Sequence, residues 1–518
     1  MVRITCYDGV GCIGGNKILL EDDERGSLWL DFGTNFGRQS RYYEEYLKPK
    51  SAAGLYEPLR LGLLPRLRGL YREDLVCQLH DPWTELPHEP GPPAQGVLLS
   101  HAHKDHLGAV HFLREDLPLY ASPATAAIAK ALQDTGDDED LCYTIRRQPG
   151  ASGALEKSHW NREPSLARPY ALTKGPSAAF ESFWGETPGG RRHVARPLAT
   201  LNRCCGAFPV RAYPVDHSVY GALAWAVETS AGWVVYSGDL RCHGGAGDRT
   251  WDWAAAAAAL EPAALIMEGT RIGTEASETE ADVAARARPL VARAEGLVVA
   301  DFGPRHVERL ITFLRLAEES GRYLAILPKD VYLLDALRVA LGDDAVPPLD
   351  GRFRIYHKLQ ATEGKWQREL RDRYASLAGG CGPGFVEAAD IRGAQDRFVC
   401  CFSFWDVNEL AYLSPAPGSV WIYSTNEPYS AEQKIDLERL RNWLQDLGLT
   451  FHGDPALGDP ALHVSGHAPR GDLLALARAI RPRALIPIHT KEPQAFAQEL
   501  DGEIDVRPPR QGVPAPLP

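Results

Sequence analysis

The sequence predicts an α/β protein with more than one domain, and three observations support this fold class. Short apolar segments of high strand propensity alternate with longer segments of helical periodicity along the chain. Between residues 274 and 417 the strand and helix signals follow one another regularly, which predicts a small, mainly parallel sheet flanked by helices. Histidine and aspartate residues follow several of the apolar segments, which predicts a functional site built on strand ends.

The composition is that of a globular chain. A length of 518 residues suits two or three domains, and 44% hydrophobic with 24% charged residues is ordinary for a protein with a packed core. No apolar run reaches about 18 residues and the start lacks the apolar region of a signal peptide, so we expect neither a membrane span nor secretion. The ten cysteines include no Cys-x-x-Cys pair and are expected to be buried free thiols of a cytoplasmic protein.

Predicted elements follow the chain in order. Before the main polar cluster we predict strands at Lys17–Glu21, Ser27–Asp31 and 96–99, and a helix at Tyr42–Leu47. The middle of the chain carries predicted helices at 107–133 and 251–260, and strands at 209–218, 221–228, 233–241 and 264–268. The remainder carries predicted helices at 285–294, 303–315, 330–341, 431–447 and 471–480, and strands at 296–302, 323–327, 418–426 and 484–488.

The strongest chemical signal lies directly after the apolar segment 96–99. His101, His103, Asp105 and His106 fall within six positions there. Imidazole nitrogen and carboxylate oxygen are the ligand types that hold Zn²⁺ or a similar ion. In extended backbone His101 and His103 leave on the same side, while Asp105 and His106 follow the turn and can face a second ion. This density is difficult to explain by packing, so we predict a metal site.

The segment 141–203 departs from the acidic balance of the chain, whose formal net charge is −12. It holds ten basic and four acidic residues, interleaved with aromatic ones. Such a mixture suits phosphate contacts and base stacking on single-stranded nucleic acid. The alternative is a solvated insertion whose aromatic side chains pack on the body, and the sequence leaves both open. The residues concerned are Arg146, Arg147, Lys157, Arg162, Arg168, Lys174, Arg191, Arg192, Arg196 and Arg203, with Trp160, Tyr170, Phe180, Phe183 and Trp184.

The order of the polar motifs resembles that of the metallo-β-lactamase superfamily. The pattern His-x-His-x-Asp-His is followed by strands ending in Asp-His at His217 and in Ser-Gly-Asp at Asp239. A later strand ends in Glu-Gly-Thr at Glu268, and the segments His-Val-Ser-Gly-His-Ala and Ile-Pro-Ile-His contain His467 and His489. These last motifs are similar to those of the β-CASP nuclease branch, in particular bacterial ribonuclease J.

The resemblance implies an αββα sandwich with an inserted β-CASP domain, a small mainly parallel sheet flanked by helices. The implied first part of the metallo-β-lactamase domain is 1–273, with 141–203 as an insertion. The β-CASP domain would follow at 274–417, and 418–518 would complete the first domain. Only a short tail follows His489, so we expect the C-terminal domain of ribonuclease J to be absent.

The resemblance also implies a role for each motif residue. His101, His103 and His217 would hold one divalent ion, Asp105, His106 and His489 a second, and Asp239 would bridge them. The implied ions are two zinc ions, with manganese as the alternative. Asp105, Asp239, Glu268 and His467 form the implied catalytic set, and Asp31 supports the ligands by hydrogen bonds. Candidate substrate contacts are Arg305, His306, Ser424 and Ser465.

The implied activity is cleavage of single-stranded RNA by two-metal activation of water, with RNA favoured over DNA because a histidine stands at position 489. A DNA nuclease with the same site and a hydrolase of small esters or lactones are the alternatives. A non-enzymatic subunit is a further alternative, disfavoured because every expected ligand is present. Internal against terminal cleavage, a homodimer and a protein partner all stay open, and no membrane partner is expected.

Overall fold

A computed structural model describes the chain at residues 1–44, 46–136, 140–158, 163–188, 192–275, 278–303, 305–376, 382–426, 428 and 430–517. The fold is α/β, with several sheets and helices. Its residues form two compact units. Unit 1 contains Met1–Cys242, Ala246–Ala276 and His467–Pro518, and unit 2 contains His243–Gly245 and Ser277–Gly466.

Unit 1 contains two large sheets. The first runs, in spatial order, through Ala199–Thr200, Tyr170–Leu172, Leu119–Ala121, Ala94–Leu98, Gly26–Phe32, Lys17–Asp22, Val2–Asp8 and Ala515–Pro516. The second runs through Cys204–Cys205, Phe208–Pro214, Leu223–Thr229, Gly232–Tyr236, Ala264–Glu268, Ala484–Ile488 and Asp505–Val506. From Gly232–Tyr236 onward the second sheet is parallel, so the carboxyl ends of its central strands share one edge.

Alternation along the strands places the core of unit 1 between these sheets. Ile266 faces a cluster that also contains Leu30 of the first sheet and Ile486 of the second. Its neighbours Leu265 and Met267 face the opposite side, where helices cover the second sheet. Since successive side chains of a strand point to opposite faces, a strand apolar throughout is expected to be covered on both faces.

Shorter elements complete unit 1. The helices are Phe36–Gln39, Tyr56–Arg60, Pro82–Glu85, Lys104–Leu107, Pro123–Thr135, Ala178–Gly185, Gly247–Ala258, Arg470–Ile480 and Pro493–Glu499. Three-residue and five-residue 3₁₀ turns lie at Ser51–Ala53, Glu73–Leu75 and Gly108–Phe112. Small strand pairs form from Leu67–Arg68, Glu89–Pro90, Arg147–Pro149 and Leu155–Lys157, and a small sheet from Tyr143–Thr144, Ser165–Ala167 and His193–Val194.

Unit 2 is built on one parallel sheet. Its spatial order is Gly384–Val386, Phe353–Tyr356, Tyr323–Ile326, Phe398–Cys401, Val298–Asp301, Val420–Tyr423 and Thr450–His452. The helices are Glu280–Arg293, Val307–Glu319, Pro328–Leu341, Lys365–Ser376, Ala388–Arg392, Leu410–Leu413 and Ala431–Asp446. Turns of 3₁₀ type lie at Asp343–Ala345, Gln395–Arg397, Phe404–Glu409 and Pro455–Leu457.

The boundaries of the units differ from the predicted ones at 273/274 and 417/418. The strand Val420–Tyr423 was expected to return to the first domain, but it pairs in parallel with Val298–Asp301 of unit 2. Thr450–His452 then extends the same sheet. An apolar strand carries no mark of the sheet that it joins, so the sequence placed this segment in the wrong unit. Unit 1 resumes only at His467.

Two predicted helices are also wrong. The described residues of 42–47 are not helical, and the helix lies earlier, at Phe36–Gln39, where the Asn35 side chain caps it. The single helix predicted over 107–133 is divided by the strand Leu119–Ala121. Ser122 then caps the helix Pro123–Thr135, and a proline at the first helical position is a start signal that the apolar periodicity concealed.

The segment 141–203 is built into unit 1. Its strands Tyr170–Leu172 and Ala199–Thr200 belong to the first large sheet. Phe180 and Trp184 are buried, and the buried Arg168 donates to backbone carbonyls of the unit. Tyr170, Phe180 and Trp184 are therefore not available for stacking, and Phe183 is half-buried. Trp160, Arg162 and Arg191 lie outside the described residues.

Within the described part of the chain, no helix has the length and apolarity needed to span a membrane. The described cysteines are free thiols, but the predicted burial holds for only five of the nine, since Cys204 is exposed and Cys12, Cys242 and Cys401 are half-buried.

Candidate metal centre

The predicted ligands lie at the ends of neighbouring strands of unit 1. Asp239, Glu268 and His489 come at or just after the carboxyl ends of Gly232–Tyr236, Ala264–Glu268 and Ala484–Ile488, three adjacent parallel strands. Parallel strands end at the same edge, so residues up to 250 positions apart meet there. His101 to His106 follow Ala94–Leu98 of the first sheet, and His217 follows Phe208–Pro214 of the second.

The first ligand group consists of His101, His103 and His217, whose ligand atoms all lie within 4.8 Å of one another. Nε2 of His101 is 3.0 Å from Nδ1 of His103, and Nε2 of His217 is 3.1 Å from the same atom. His101 and His217 are buried. Three imidazole nitrogens that converge in this way can bind a metal ion such as Zn²⁺, which takes histidine nitrogen as a ligand.

The second ligand group consists of Asp105, His106, Asp239 and His489. Oδ2 of Asp239 lies 3.0 Å from Nε2 of His106 and 3.7 Å from Nε2 of His489. Oδ2 of Asp105 lies 3.2 Å from the latter nitrogen. Asp239 also comes within 3.7 Å of His101 in the first group, so its carboxylate stands between the two groups.

Glu268 and His467 adjoin this carboxylate and form, with Asp239 and His489, a third cluster. Nδ1 of His467 is 3.0 Å from Oε1 of Glu268 and 3.9 Å from Oδ2 of Asp239. The remaining contacts of Glu268 are with backbone: Leu240 and Thr270 donate to its two oxygens. A fully buried glutamate held in this way fixes the orientation of His467.

Asp31, the predicted supporting residue, contacts the loop that carries the candidate ligands, and its network includes residues that sequence reasoning missed. Its Oδ1 accepts the Ser100 backbone N–H at 2.7 Å, and its Oδ2 lies 2.7 Å from Nδ1 of His106. The Tyr236 hydroxyl donates to Oδ2 at 2.5 Å and accepts from the Asn16 amide at 3.0 Å. Tyr236 and Asn16 carry no motif, and only their shared core position identifies them.

The supporting residue Asp31 and the candidate ligand His489 both have left-handed backbone conformations. Asp31 has a φ of 55° and His489 a φ of 51°, which non-glycine residues rarely adopt. The Thr270 hydroxyl is 2.8 Å from Nδ1 of His489, and the His489 N–H donates to the carbonyl of Gly9. Strained positions held by such contacts are a mark of functional sites.

The ligand loop also needs close backbone approach. A Cβ at Gly33 would lie 1.7 Å from the Asp105 carbonyl oxygen, and one at Gly238 would lie 2.7 Å from Cβ of Ser100. The backbone N–H groups of Gly15 and Asn16 both donate to the same Asp105 carbonyl at 3.0 Å. The loop is thereby fixed to the first strands of the unit.

Neighbouring groups and burial shift the pKa values of the titratable residues in this site in different directions. Burial, and the positive charge of His106, keep the pKa of His101 well below its usual range, so its ring is neutral with a free lone pair. Burial works to raise the pKa of Asp239, but His106, His489 and His467 outweigh it and hold that pKa well below its usual range. Burial works to lower the pKa of His467, but Glu268 and Asp239 raise it to about 9.

The donor set fits a metal ion. Oδ1 of Asp239 is buried and has no hydrogen-bond partner among the described residues, while Nε2 of His106 lies 3.0 Å from Oδ2 of the same carboxylate. Leaving a buried polar atom unpaired costs about 1–3 kcal/mol, which an ion bound to it would offset. Because Nδ1 of His106 lies 2.7 Å from Asp31, Nε2 is the ring nitrogen that would bind an ion.

The four predicted substrate contacts lie in unit 2 and not in this cluster. Ser424 is 1% exposed, and its hydroxyl donates to the Leu462 carbonyl and accepts from Arg309, so the prediction that it binds substrate is not supported. His306 lies 3.1 Å from Glu280 and its side chain accepts from the Arg309 backbone. Arg305 is half-buried, and the Ser465 carbonyl accepts from His243.

Comparison with known proteins gives three findings. Residues 460–508, which include His467 and His489, match the family model described as RMMBL, a Zn-dependent metallo-hydrolase RNA specificity domain. The chain is 23% identical over 411 residues to ribonuclease J of Sinorhizobium meliloti, covering 76% of this chain and 57% of that one. It is 23% identical over 403 residues to ribonuclease J of Corynebacterium glutamicum, covering 76% of this chain and 45% of the relative.

The match to ribonuclease J of Mycolicibacterium smegmatis is 21% identical over 495 residues, 94% of this chain and 68% of the relative. The chain thus spans 57% and 45% of the lengths of the Sinorhizobium and Corynebacterium relatives. The crystal structure of a protein of unknown function from Enterococcus faecalis V583 matches with a TM-score of 0.64 and 21% identity, covering 99% of both chains. That likeness concerns the fold.

Proposed function

We propose, from the premise that this chain is a ribonuclease J-like protein of the metallo-β-lactamase superfamily, that it hydrolyses single-stranded RNA. The observation that carries the proposal is the pair of ligand groups in unit 1 that share Asp239. The match of residues 460–508 to an RNA specificity domain supports RNA as the substrate, because that segment contributes His467 and His489 to the same cluster.

The same premise extends to the domains. We assign unit 1 to the metallo-β-lactamase domain and unit 2 to the inserted β-CASP domain. The core between the two large sheets, and the helices covering the second sheet, support the predicted αββα layers of unit 1.

Two divalent ions are proposed for the centre, with zinc as the first choice. His101, His103 and His217 would hold one, Asp105, His106 and His489 the other, and Asp239 both. When bound, such ions lower the pKa of a bound water molecule to about 7 and neutralise negative charge on a phosphate. Asp239 suits a shared position because its two oxygens each carry free lone pairs.

The residues of the chain then complete the hydrolysis. Water adds to phosphorus as the bond to one sugar oxygen breaks, and that oxygen needs a proton. We propose that His467 supplies this proton, because its Nδ1 lies 3.0 Å from the buried carboxylate of Glu268, which favours a protonated ring. With Nδ1 directed at Glu268, the Nε2 proton is the one that His467 offers to the phosphate or the leaving oxygen.

The test is a time course on single-stranded RNA and DNA of one sequence, labelled at the 5′ or the 3′ end, with Zn²⁺ or Mn²⁺. We expect RNA to be cut, DNA to be spared, and His103→Ala to be inactive. The two label patterns distinguish internal cuts from trimming and give the polarity. Metal analysis by mass spectrometry should give about two ions per chain and about one for His103→Ala.

Each contrary result has a defined meaning. Equal cleavage of DNA would replace ribonuclease with a general nuclease. Cleavage of neither polymer by a chain that carries two ions would overturn the nuclease proposal, and the small-ester hydrolase would be assayed next. An active His103→Ala with full metal content would overturn the ligand assignment.

A further inference from the structure

Trp405 of unit 2 is exposed to an extent that folding does not explain. It is 74% exposed, whereas Trp29, Trp225 and Trp421 are completely buried. It lies in the turn Phe404–Glu409, directly after the strand Phe398–Cys401. A tryptophan left in water forgoes most of its burial free energy, and exposed tryptophan is enriched where a partner or ligand binds.

The indole is held in place rather than left on a loose loop. Asp406 anchors the turn, since its Oδ2 accepts the N–H of Ser403 at 2.9 Å and the hydroxyl of the same residue at 2.7 Å. The Phe404 ring stands against Trp405 at 5.1 Å between centroids and 69° between planes. A braced aromatic ring loses little conformational entropy when a flat ligand stacks on it.

Two lysines lie near the turn that carries Trp405: Lys358 pairs with Asp406, and Lys329 lines the recess that Ser403 and Asp406 also line. Nζ of Lys358 forms an ion pair with Oδ1 of Asp406, and its side chain is 32% exposed. Lys329 is exposed and has no hydrogen bond or ion pair among the described residues. Burial works to raise the pKa of Asp406, but Lys329 and Lys358 lower it, which places both ammonium groups near the turn. Leu359, which follows Lys358 in the chain, is 76% exposed.

The position within the sheet is one that open α/β folds use for ligands. The strand Phe398–Cys401 lies between Val298–Asp301 and Tyr323–Ile326, all parallel, so chain connections leave this point in both directions. Ligands of such sheets bind outside the carboxyl ends at this switch point. The recess there, with Lys329 and Ser403 in its lining, measures only about 10 Å³, so a base would lie over the surface rather than inside.

We propose that Trp405, flanked by Lys329 and Lys358, is a stacking platform for a base of single-stranded RNA. The lysines contact the neighbouring phosphates. The inference rests on the proposed function and names a substrate contact of that function in unit 2. A base with two adjacent phosphates fits an aromatic face bordered by ammonium groups, because every base has a π-face and every linkage a negative charge.

The experiment measures binding apart from cleavage. Fluorescence anisotropy gives the Kd of a labelled single-stranded RNA of about 20 nucleotides for the full chain carrying Asp239→Asn, so that the RNA stays intact. We expect Trp405→Ala to raise Kd about tenfold and Trp405→Phe to stay within about threefold, since the stacking face is retained. Lys329→Ala with Lys358→Ala should reduce the salt slope by about 1.4, since each phosphate contact to a single strand contributes about 0.7.

Trp251→Ala is the matched control, because Trp251 is 39% exposed on the helix Gly247–Ala258 of unit 1. It should keep the parent Kd. In the active background, Trp405→Ala should raise KM about tenfold with kcat unchanged. Light scattering should give the same mass for parent and variant.

The outcomes separate this inference from the proposed function. A parent chain that neither binds nor cuts RNA overturns the proposed function. A parent that cuts RNA while Trp405→Ala keeps its Kd and KM overturns only the stacking platform. An equal loss in Trp251→Ala, or a smaller mass for Trp405→Ala, also overturns it, the latter by assigning the surface to contact between copies.

Discussion

Both units place buried carboxylates at the carboxyl ends of parallel strands, but the two sets have different neighbours. In unit 1, Asp239 faces His106 and His489, and its pKa lies well below its usual range. In unit 2, Asp301 ends the strand Val298–Asp301, and burial together with the charge of Asp406 raises its pKa to about 8. Asp239 and Asp301 are each 2% exposed, so burial does not distinguish them.

The comparison indicates that a strand-end acid suits a cation only where other donors converge on it. Asp239 belongs to two clusters with histidine. Oδ2 of Asp301 has no hydrogen-bond partner among the described residues, and Asp330, whose pKa burial raises to about 7, likewise has an unpaired Oδ1. Unit 1 therefore keeps Asp239 ionised, whereas unit 2 keeps Asp301 protonated at neutral pH.

The largest expected effect is the loss of hydrolysis when the charge of Asp239 in unit 1 is removed. Asp239→Asn removes the charge that both ligand groups share, so hydrolysis should fall by at least about a thousandfold while the fold is kept. Activity on labelled RNA, metal content and thermal unfolding by circular dichroism measure this. Glu261→Gln, at a left-handed position outside the cluster, is the control and should keep activity. Residual activity near that of the parent would refute the role of Asp239.

The next effect is the pH dependence of the free energy of unfolding that Asp301 of unit 2 produces. Unfolded Asp301 ionises near pH 4, whereas the folded residue ionises near pH 8, so its stabilising effect is complete below about pH 4 and is lost as pH rises through about 8. Asp301→Asn has no such proton to lose. It should be more stable than the parent by a few kcal/mol at pH 8, and less so toward pH 5.

Urea unfolding from pH 5 to pH 8 tests this, with the exposed Asp344→Asn as the control. A stability difference between Asp301→Asn and the parent that does not change with pH would show that Asp301 is ionised in the folded chain.

A smaller effect is expected from the hydrogen bond between Tyr236 and Asp31, which orients the candidate ligands of unit 1. Tyr236→Phe removes the hydroxyl that donates to Asp31 but keeps the ring in the core. Removal of such a supporting partner typically costs about 10- to 100-fold in metal affinity or activity. We expect about tenfold in kcat/KM and weaker zinc retention against a chelator. Unchanged values in both assays would confine Tyr236 to packing.

The smallest effect concerns a contact that sequence reasoning assigned to substrate. Ser424→Ala removes the hydroxyl between Arg309 and the Leu462 carbonyl, so unit 2 should lose about 1–2 kcal/mol of unfolding free energy. KM for RNA should stay within about twofold. A large rise in KM at unchanged stability would restore the predicted substrate contact.

The candidate metal ligands and most strand positions could be predicted from the sequence. His101, His103, Asp105 and His106 are readable because they are dense in sequence and follow an apolar strand. Asp239, Glu268 and His489 are readable because each also closes an apolar run. Such signals are local, and the parallel arrangement converts three separate strand ends into one edge.

Two features could be seen only in the folded chain. These are the residues that hydrogen-bond to the candidate ligand loop, and the sheet or core that each apolar segment joins. Tyr236 reaches Asp31 across 205 positions, and nothing in its own segment marks it. The strand Val420–Tyr423 joined the sheet of unit 2, and the aromatic residues around Phe180 entered the core of unit 1. An apolar or aromatic residue gains burial free energy in any core, so its pattern predicts that it is buried but not which neighbours bury it.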